Sequence, residues 1–401
     1  MSAPQTSRAA DSLMHGDHPS GVVMGGLDAL PTPSLVLDER RMLRNVERLE
    51  RHLHSLGVPS RPHLKTAKSV DVARRVLAHG TGPATVSTLR EAEVFAAAGV
   101  RDIVYAVGIT AHKLERVLAV RATGCDLSVL LDSREQAVAV AQASRDAGTP
   151  IPVVIEIDCD GHRGGVRPDD PEVVAIGRIL HEGGAELRGV LTHAGESYGV
   201  CGTDAHADFA ERERAAAVAA ATALRAAGLP APVVSVGSTP TAFAARDLSG
   251  VTEVRAGNYM FFDLFQAGIG VCAIDDIAIS VLTTVIGQQR ERGRIFVDAG
   301  WMALSRDRGT AQQAIDQGYG VVCDIDGRVI PDLIVVEANQ EHGIVSVRPG
   351  RNAPLPDLPV GMRLRILPNH ACATAAQFAA YDVLPADTDA PLGHWERFGG
   401  W

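Results

Sequence analysis

The sequence predicts an α/β protein with an N-terminal (β/α)8 TIM-type barrel and a C-terminal antiparallel β domain. Up to about residue 272, short apolar runs alternate with longer amphipathic runs, which is typical of parallel β/α units. Beyond that point long helical periods are missing, and β-branched runs are joined by turn signals such as Asp326-Gly327 and Pro349-Gly350. A doubly wound open sheet is the alternative for the N-terminal part.

The N-terminal strand candidates number one more than a barrel needs. They cover residues 34–37, 61–64, 84–87, 103–107, 126–131, 153–158, 187–193, 233–237 and 253–256. Helix candidates between them, rich in Ala, Leu, Arg and Glu, include residues 40–56, 89–98, 133–147 and 205–227. Without the first strand, which we expect in the β domain, eight remain, enough to close a barrel of about 200 to 250 residues.

The later candidates describe a β domain of about a hundred residues, within the usual size of a domain. They cover residues 277–286, 294–298, 320–324, 333–338, 343–347 and 363–367. The expected organisation is a disordered tail over residues 1–25, the barrel over 26–272 and the β domain over 273–372. A C-terminal segment over 373–401, helical from 373 to 381, is expected to pack back on the barrel.

Composition excludes several classes of function. The 401 residues are 46% hydrophobic and 21% charged, with a mean hydropathy near zero, which is ordinary for a globular protein with a large core. The net charge is −10 without a basic block, so neither nucleic acid nor an anionic membrane is expected as a partner. The sequence contains no run of about 18 apolar residues, so no membrane span is expected.

Compartment is predicted from the N-terminus and the cysteines. The first residues are polar and lack an apolar signal core. The six cysteines are scattered along the chain, as is typical of reduced cytosolic thiols: Cys125, Cys159, Cys201, Cys272, Cys323 and Cys372. A cytoplasmic protein is therefore expected.

Lys65 is the most informative single residue. It follows the apolar candidate strand 61–64 and precedes a helix-like run, so it lies at the carboxyl end of a parallel strand, where barrels assemble their active sites. Partial desolvation there lowers a lysine pKa and makes the amine a nucleophile toward carbonyls. The alternative is a solvated surface lysine.

Two glycine-containing strand exits predict a phosphate site. Val236-Gly237-Ser238-Thr239-Pro240 and Arg255-Ala256-Gly257-Asn258-Tyr259 follow the seventh and eighth barrel strands, where barrels commonly bind phosphate. Each motif alone is compatible with simple turn chemistry. Together with Lys65 they favour pyridoxal 5'-phosphate, which needs an imine at one end and a phosphate cradle at the other.

A metal site is predicted near the end of the β domain. His370 and Cys372, in Leu367-Pro-Asn-His-Ala-Cys372, place two soft donors within one turn of backbone, which suits zinc. No Cys-x-x-Cys pair completes a structural site, so a catalytic ion with open positions is the interpretation, against a buried structural pair.

Further contacts to a bound ring are expected from the central strand exits. Arg163, His193 and Tyr198 lie in or next to Asp158-Cys-Asp-Gly-His-Arg-Gly-Gly165 and Thr192-His-Ala-Gly-Glu-Ser-Tyr198. Arg163 opposite a pyridine nitrogen would limit protonation of that nitrogen. For each of the three, a satisfied loop residue is the alternative.

Five motifs, in order along the chain, resemble one family: Pro62-His-Leu-Lys-Thr-Ala-Lys68, Gly237-Ser-Thr-Pro240, Gly257-Asn-Tyr259, Val297-Asp-Ala-Gly-Trp301 and Pro368-Asn-His-Ala-Cys372. They look like the D-serine dehydratase and D-threonine aldolase group of alanine racemase-like (fold type III) pyridoxal phosphate enzymes, over about residues 28 to 385. The resemblance implies a Schiff base on Lys65 and a homodimer. It also implies phosphate contacts around Gly237, Ser238, Thr239, Gly257 and Asn258, and metal ligands in His370 and Cys372. With Arg163, His193 and Tyr198 from the central strand exits, His63 and Tyr259 complete the expected cofactor contacts.

The resemblance further implies the reaction. The aldolase branch usually has a His-Cys-Asp pattern, whereas Ala371 and Cys372 resemble the dehydratases, so the expected activity is metal-dependent elimination from a D-3-hydroxy amino acid such as D-serine or D-threo-3-hydroxyaspartate. Zinc is the expected ion and manganese the alternative. The rival activity is retro-aldol cleavage to glycine and an aldehyde; a racemase or a non-catalytic carrier of the cofactor ranks lower. A carboxylate-bearing substrate needs an additional cation, for which Arg306 and Arg308 are candidates.

Overall fold

The computed structural model describes residues 26–401, which form two β-sheets with helices around the first of them. The tail expected over residues 1–25 lies outside the described residues. The α-helices are α1 (Glu39–Ser55), α2 (Val70–Val76), α3 (Leu89–Ala97), α4 (Leu114–Ala122), α5 (Arg134–Ala147), α6 (Glu172–Glu182), α7 (Thr203–Ala226), α8 (Thr239–Ala244), α9 (Leu264–Gly268), α10 (Trp301–Leu304) and α11 (Ala371–Ala375). Within residues 26–401, no helix is long and apolar enough to cross a membrane.

The first sheet is parallel and runs in sequence order. Its strands are β2 (Ala84–Val86), β3 (Asp102–Gly108), β4 (Asp126–Leu131), β5 (Pro152–Ile157), β6 (Glu186–Thr192), β7 (Val233–Val236) and β8 (Glu253–Val254). Helices of several turns link the strands, except between β7 and β8, where the connection is short. Capping residues in the sequence mark where a helix begins. In α5, Ser133 and Gln136 form a reciprocal capping box.

An extended segment, residues 60–63, closes this sheet into a barrel. Ser60 bridges to Val254 of β8 and His63 bridges to Thr85 of β2, both in parallel. The backbone N–H of Arg61 donates to the Val254 carbonyl at 2.8 Å on one side, and Thr85 N–H donates to Pro62 at 2.9 Å on the other. Pro62 has no N–H to donate, so the segment joins both neighbours without forming a regular ladder. The predicted eight-stranded α/β barrel is confirmed, with this barrel-closing segment as its first strand.

The second sheet has nine strands. They are β1 (Ser34–Asp38), β9 (Ile279–Gln289), β10 (Arg294–Val297), β11 (Val321–Cys323), β12 (Val329–Ala338), β13 (Gly343–Val347), β14 (Arg363–Leu367), β15 (Ala380–Leu384) and β16 (Gly393–Glu396). The order is β10-β13-β12-β11-β14-β9-β1-β15-β16, and β10 also pairs with β9, which closes a six-stranded antiparallel barrel. The predicted C-terminal antiparallel β domain is confirmed.

The C-terminal residues differ from the helical segment expected over 373–381. The helix α11 ends at Ala375, and β15 pairs in parallel with β1 while β16 pairs with β15. Tyr381 and Val383 are buried and alternate with partly exposed neighbours, which is the two-residue period of a strand. Pairing with the distant β1 outweighs the local helical composition of this stretch.

Candidate active site

A cavity of about 420 Å³ lies at the carboxyl ends of the barrel strands. Two residues of the second sheet's domain reach into it from the start of α11: His370 is the N-cap of this helix and Cys372 lies in its first turn. Of the residues predicted for the site, the lining includes His63, Lys65, Arg163, His193, Tyr198, Gly237, Ser238, Thr239, Gly257, Asn258, His370 and Cys372. The fold therefore brings residues more than 300 positions apart to one wall.

Lys65 is exposed to this cavity directly after the barrel-closing segment. The turn that contains it, residues 64–67, is held by residues in or next to the C-terminal strands. Tyr381 donates its hydroxyl to the Ala67 carbonyl at 2.8 Å, and Arg397 Nε donates to the same oxygen at 3.1 Å. These bonds fix the backbone from which the lysine side chain projects.

Two neutral histidines flank the lysine. His193 Nδ1 donates to the Gly237 carbonyl at 2.9 Å, which leaves Nε2 as the unprotonated nitrogen. Burial, with Lys65 and other cations nearby, lowers the pKa of His193 to about 3. Burial and Lys65 likewise lower the pKa of His63 well below its usual value, and its Nε2 lies 3.2 Å from the Ser87 hydroxyl.

The exits of β7 and β8 form a small polar cup. The Thr239 hydroxyl is buried and makes no hydrogen bond within residues 26–401. The backbone N–H groups of Gly257 and Asn258 also make no hydrogen bond to the described residues. A Cβ on Gly257 would lie 2.8 Å from the His63 carbonyl, so only glycine leaves room for the backbone approach there. Buried donors without partners cost free energy, so the cup fits an anionic group that would accept from them.

Gly237 serves this cup indirectly. Its N–H donates to the Glu213 carboxylate at 3.0 Å and its carbonyl accepts from His193. Its φ is +140°, and a Cβ at this position would lie only 2.2 Å from the Arg255 carbonyl oxygen, so the position requires glycine. Gly237 is thus a backbone requirement of the cup, and its N–H is already used.

Glu213 is a buried residue that the sequence motifs do not reveal. Oε1 accepts from the N–H groups of Ala194 and Gly237, and Oε2 accepts from the Thr241 hydroxyl at 2.7 Å. Burial raises the pKa of Glu213 although all three bonds favour its charged form. One carboxylate on α7 therefore holds the exits of β6 and β7 and the start of α8 together.

His370 and Cys372 form a compact donor pair. Cys372 Sγ lies 3.1 Å from the Thr66 hydroxyl, and His370 Nδ1 lies 2.6 Å from Asp307 Oδ2. Burial alone would lower the pKa of His370, but Asp307 and the Cys372 thiolate outweigh it and raise the pKa to about 11. Burial opposes the thiolate of Cys372, yet His370 and Lys65 lower the pKa of the thiol.

The pair has the chemistry of a metal site with open positions. A carboxylate on one imidazole nitrogen is the usual partner of a histidine whose other nitrogen binds metal, which is the position of Asp307. Nitrogen and sulfur donors suit zinc. No group of three or more His, Cys, Asp or Glu side chains with metal-binding geometry occurs among residues 26–401, so His370 and Cys372 would leave coordination positions for water and substrate.

Two predicted ring contacts lie in the cavity wall. Arg163 is largely exposed and lies 3.5 Å from Glu156. Tyr198 accepts a long 3.4 Å hydrogen bond from Thr239 N–H, and burial raises the pKa of its phenol. Arg255 also lines the cavity, although the sequence predicts no contact for it; burial lowers its pKa to about 10, and its Nε donates to Ser235 at 2.8 Å.

Tyr259 is the one predicted cofactor contact among the described residues that does not line the cavity. It is fully buried and does not line the cavity, because the short 3-10 turn Asn258–Met260 directs it into the core beside α1. Arg306 and Arg308 are also absent from the lining; Arg306 stacks on Trp301, and Arg308 pairs with Asp316. A second carboxylate of a substrate would need another partner.

Comparison with known proteins agrees with this architecture. Residues 37–264 match the family model described as "Alanine racemase, N-terminal domain", and residues 278–384 match a serine dehydratase domain. The chain belongs to the alanine racemase-like family. The resemblance drawn from the five motifs is confirmed.

Several relatives are similar to this chain over most of its length and of their own. The chain is 56% identical to a D-threo-3-hydroxyaspartate dehydratase of Delftia sp. (strain HT23), over 93% of this chain and 98% of the relative. It is 28% identical to a D-serine dehydratase of Dictyostelium discoideum, over 92% and 98%. A solved structure of a cysteine-to-alanine variant of D-threo-3-hydroxyaspartate dehydratase, in the metal-free form, has a TM-score of 0.91 at 55% identity and covers 94% of this chain and 100% of its own.

Proposed function

We propose that this protein is a pyridoxal phosphate- and metal-dependent D-3-hydroxy amino acid dehydratase, a lyase that releases a 2-oxo acid and ammonia. The observation that carries the proposal is the placement of His370 and Cys372 in the same cavity wall as Lys65. The 56% identity to a D-threo-3-hydroxyaspartate dehydratase supports the same reaction, with D-serine as the second candidate substrate.

The cavity residues fit pyridoxal phosphate. Lys65 would hold its aldehyde carbon, and the unpartnered Thr239 hydroxyl with the N–H groups of Gly257 and Asn258 would hold its phosphate, beside Ser238. When bound, the cofactor supplies an electron sink for charge that develops at the substrate α-carbon. The neutral His193 and His63 would flank the ring without adding positive charge to it.

The donor pair fits a divalent ion, with zinc first and manganese second. His370 and Cys372 would hold it, and Asp307 would orient the imidazole. When bound, the ion supplies Lewis acidity where the substrate hydroxyl leaves. Two variants of D-threo-3-hydroxyaspartate dehydratase have been solved with alanine in place of a histidine and of a cysteine two residues further on, the second in the metal-free form. The same spacing in His370-Ala371-Cys372 supports the assignment.

The chain's own proton chemistry centres on Lys65. Its amine would take the proton from the substrate α-carbon as general base. Loss of that proton and of the β-hydroxyl as water gives an enamine, which hydrolyses to the 2-oxo acid and ammonia. The fixed turn at residues 64–67 holds the lysine backbone in place while the amine moves.

The test compares products and metal dependence. With D-threo-3-hydroxyaspartate, D-serine and D-threonine as substrates, the purified protein is expected to release 2-oxo acid and ammonia, and glycine with an aldehyde would instead identify an aldolase. His370→Ala and Cys372→Ala are expected to lose at least about 100-fold in kcat while keeping the cofactor absorbance. Replacement of the exposed His342 and Cys201 by alanine provides matched controls. Full activity after chelation would remove the metal from the proposal.

We further propose a cytoplasmic homodimer. All six cysteines are free, which suits a reducing compartment. The dimer rests on the family resemblance alone. Light scattering on the purified protein measures the assembly directly, and a monomeric mass would reject it.

A further inference from the structure

A second cavity of about 580 Å³ adjoins the first. The two share Lys65, Ser87, Val107, His370 and Cys372 in their walls, so they form one continuous space around the lysine and the metal pair. A group attached to the substrate β-carbon, next to the hydroxyl that leaves, can therefore extend into this second cavity.

This cavity collects positive charge in an acidic protein. The whole chain contains three lysines, Lys65, Lys68 and Lys113, and all three line it, although the net charge of the chain is −10. Arg116 and Arg397 line it as well. Among the described residues, the lining side chains include one carboxylate, that of Glu91, and the backbone oxygen of Trp401 accepts from Arg116 at 3.1 Å. The lining cations outnumber these acceptors, so the cavity favours an anionic group.

Most of these cations already have partners. Lys68 Nζ lies 3.2 Å from the buried Glu91 carboxylate, and Arg116 Nε donates to Glu93 at 2.8 Å. Arg397 donates to the carbonyl oxygens of the turn after Lys65 and of the α11 region. Their charges are neutralised or committed to backbone.

Lys113 differs from them. It follows β3 in the short 3-10 turn Ala111–Lys113, is half-buried, and donates from Nζ to the Tyr105 hydroxyl at 3.1 Å. It forms no ion pair with a carboxylate in the part of the chain that the structure describes. An ammonium group has three donors, so further donors remain for a ligand.

Tyr105 completes the arrangement. Its ring is buried in β3, and its hydroxyl accepts from Lys113, which leaves the phenolic proton to be donated. That proton has no other acceptor within residues 26–401. A cation and a hydroxyl donor 3.1 Å apart present two hydrogen bonds to the two oxygens of one carboxylate.

We propose that Lys113 and Tyr105 bind the second carboxylate of a dicarboxylic D-3-hydroxy amino acid, and so make this enzyme selective for 3-hydroxy-D-aspartate over D-serine. The inference rests on the proposed function and specifies its substrate class. It replaces Arg306 and Arg308, which lie outside the cavity, as the source of the additional cation.

The experiment measures kcat/KM for D-threo-3-hydroxyaspartate and D-serine in the holoenzyme. Lys113→Met is expected to lower the ratio of the two values by about 10- to 100-fold, the worth of a charge-assisted hydrogen bond, and Lys113→Arg is expected to restore part of it. Arg116→Gln, in the same cavity but paired with Glu93, is the matched control and should leave the ratio unchanged. An unchanged ratio in Lys113→Met would overturn the inference while the dehydratase activity stands.

Binding of a dicarboxylate that cannot react separates the two proposals. Titration calorimetry with succinate is expected to give a dissociation constant at least about tenfold higher for Lys113→Met than for the wild type. Equal affinities would count against a carboxylate site at Lys113 even in an active dehydratase. If the wild type dehydrates neither substrate, the proposed function fails, and the succinate comparison alone decides whether this pair binds a carboxylate.

Discussion

Replacement of His193 by asparagine is expected to make the free energy of unfolding less dependent on pH below about pH 7, measured on the protein without cofactor. His193 Nδ1 donates to the Gly237 carbonyl at 2.9 Å, and the asparagine amide can make the same bond from a similar position. What the variant loses is the ability to titrate. The comparison of this variant with the wild type therefore separates the effect of protonating His193 from the effect of its hydrogen bond.

The magnitude follows from the pKa. Burial, with cations nearby, lowers the pKa of His193 from 6.5 to about 3, so the folded protein excludes a proton that the unfolded chain binds. This stability is fully present above about pH 6.5 and is lost as the pH falls toward about 3. Between about pH 7.5 and 5.5 the loss from this one group is about 1.4 kcal/mol. The pKa of His63 is lowered in the same direction, so the wild type loses more in total.

Urea unfolding followed by circular dichroism at about pH 7.5, 6.5 and 5.5 measures the difference. The free energy of unfolding of His193→Asn is expected to fall by about 1.4 kcal/mol less than that of the wild type across this range. The exposed His112 replaced by asparagine is the control and should follow the wild type. Parallel profiles for the wild type and His193→Asn would refute a buried neutral imidazole at this position.

Three further changes probe the cup and the metal pair. Asp307→Asn removes the carboxylate 2.6 Å from His370 Nδ1 and should weaken zinc binding by about 10- to 100-fold in a titration against a competing chelator; a change under about twofold would contradict its orienting role. Glu213→Gln replaces one of two oxygens that accept three hydrogen bonds and should lower the free energy of unfolding by about 1 to 3 kcal/mol in urea, whereas an unaltered midpoint would show the network to be dispensable. Gly237→Ala should lower the free energy of unfolding by about 3 kcal/mol or more, because φ is +140° and the added Cβ would lie 2.2 Å from a carbonyl oxygen. The control Gly228→Ala, at φ +76° with nothing within 4 Å of the added Cβ, should lower it by only about 1 kcal/mol. Equal losses in the two variants would mean that the cup backbone relaxes freely.

The sequence predicts those parts of the fold that local patterns encode. The strands at 343–347 and 363–367 agree with β13 and β14, and the candidate strand at 61–64 overlaps the barrel-closing segment. The site residues at strand exits were predictable for the same reason, because parallel strands bring their carboxyl ends to one edge. What local patterns miss is pairing at a distance, as in the strand β15, which forms only because β1 lies beside it.

The residues that support the site also depend on contacts between distant parts of the chain, which local patterns miss. Asp307 meets His370 across 63 positions, and Glu213 reaches Gly237 across 24 from the middle of an otherwise ordinary amphipathic helix. No spacing rule relates such partners before the chain is folded. The side chain of Tyr259 is buried away from the cavity, because a motif identifies a backbone turn but not which of its side chains faces the ligand.

The bonds from Tyr381 and Arg397 to the Ala67 carbonyl have a practical consequence for anyone handling this enzyme. The last two strands of the polypeptide act as a clasp on the loop that carries the reactive amine. A purification tag or fusion partner joined after residue 401 would begin next to this contact, because Trp401 and Arg397 line the same cavity, so activity is best measured on protein without such an addition.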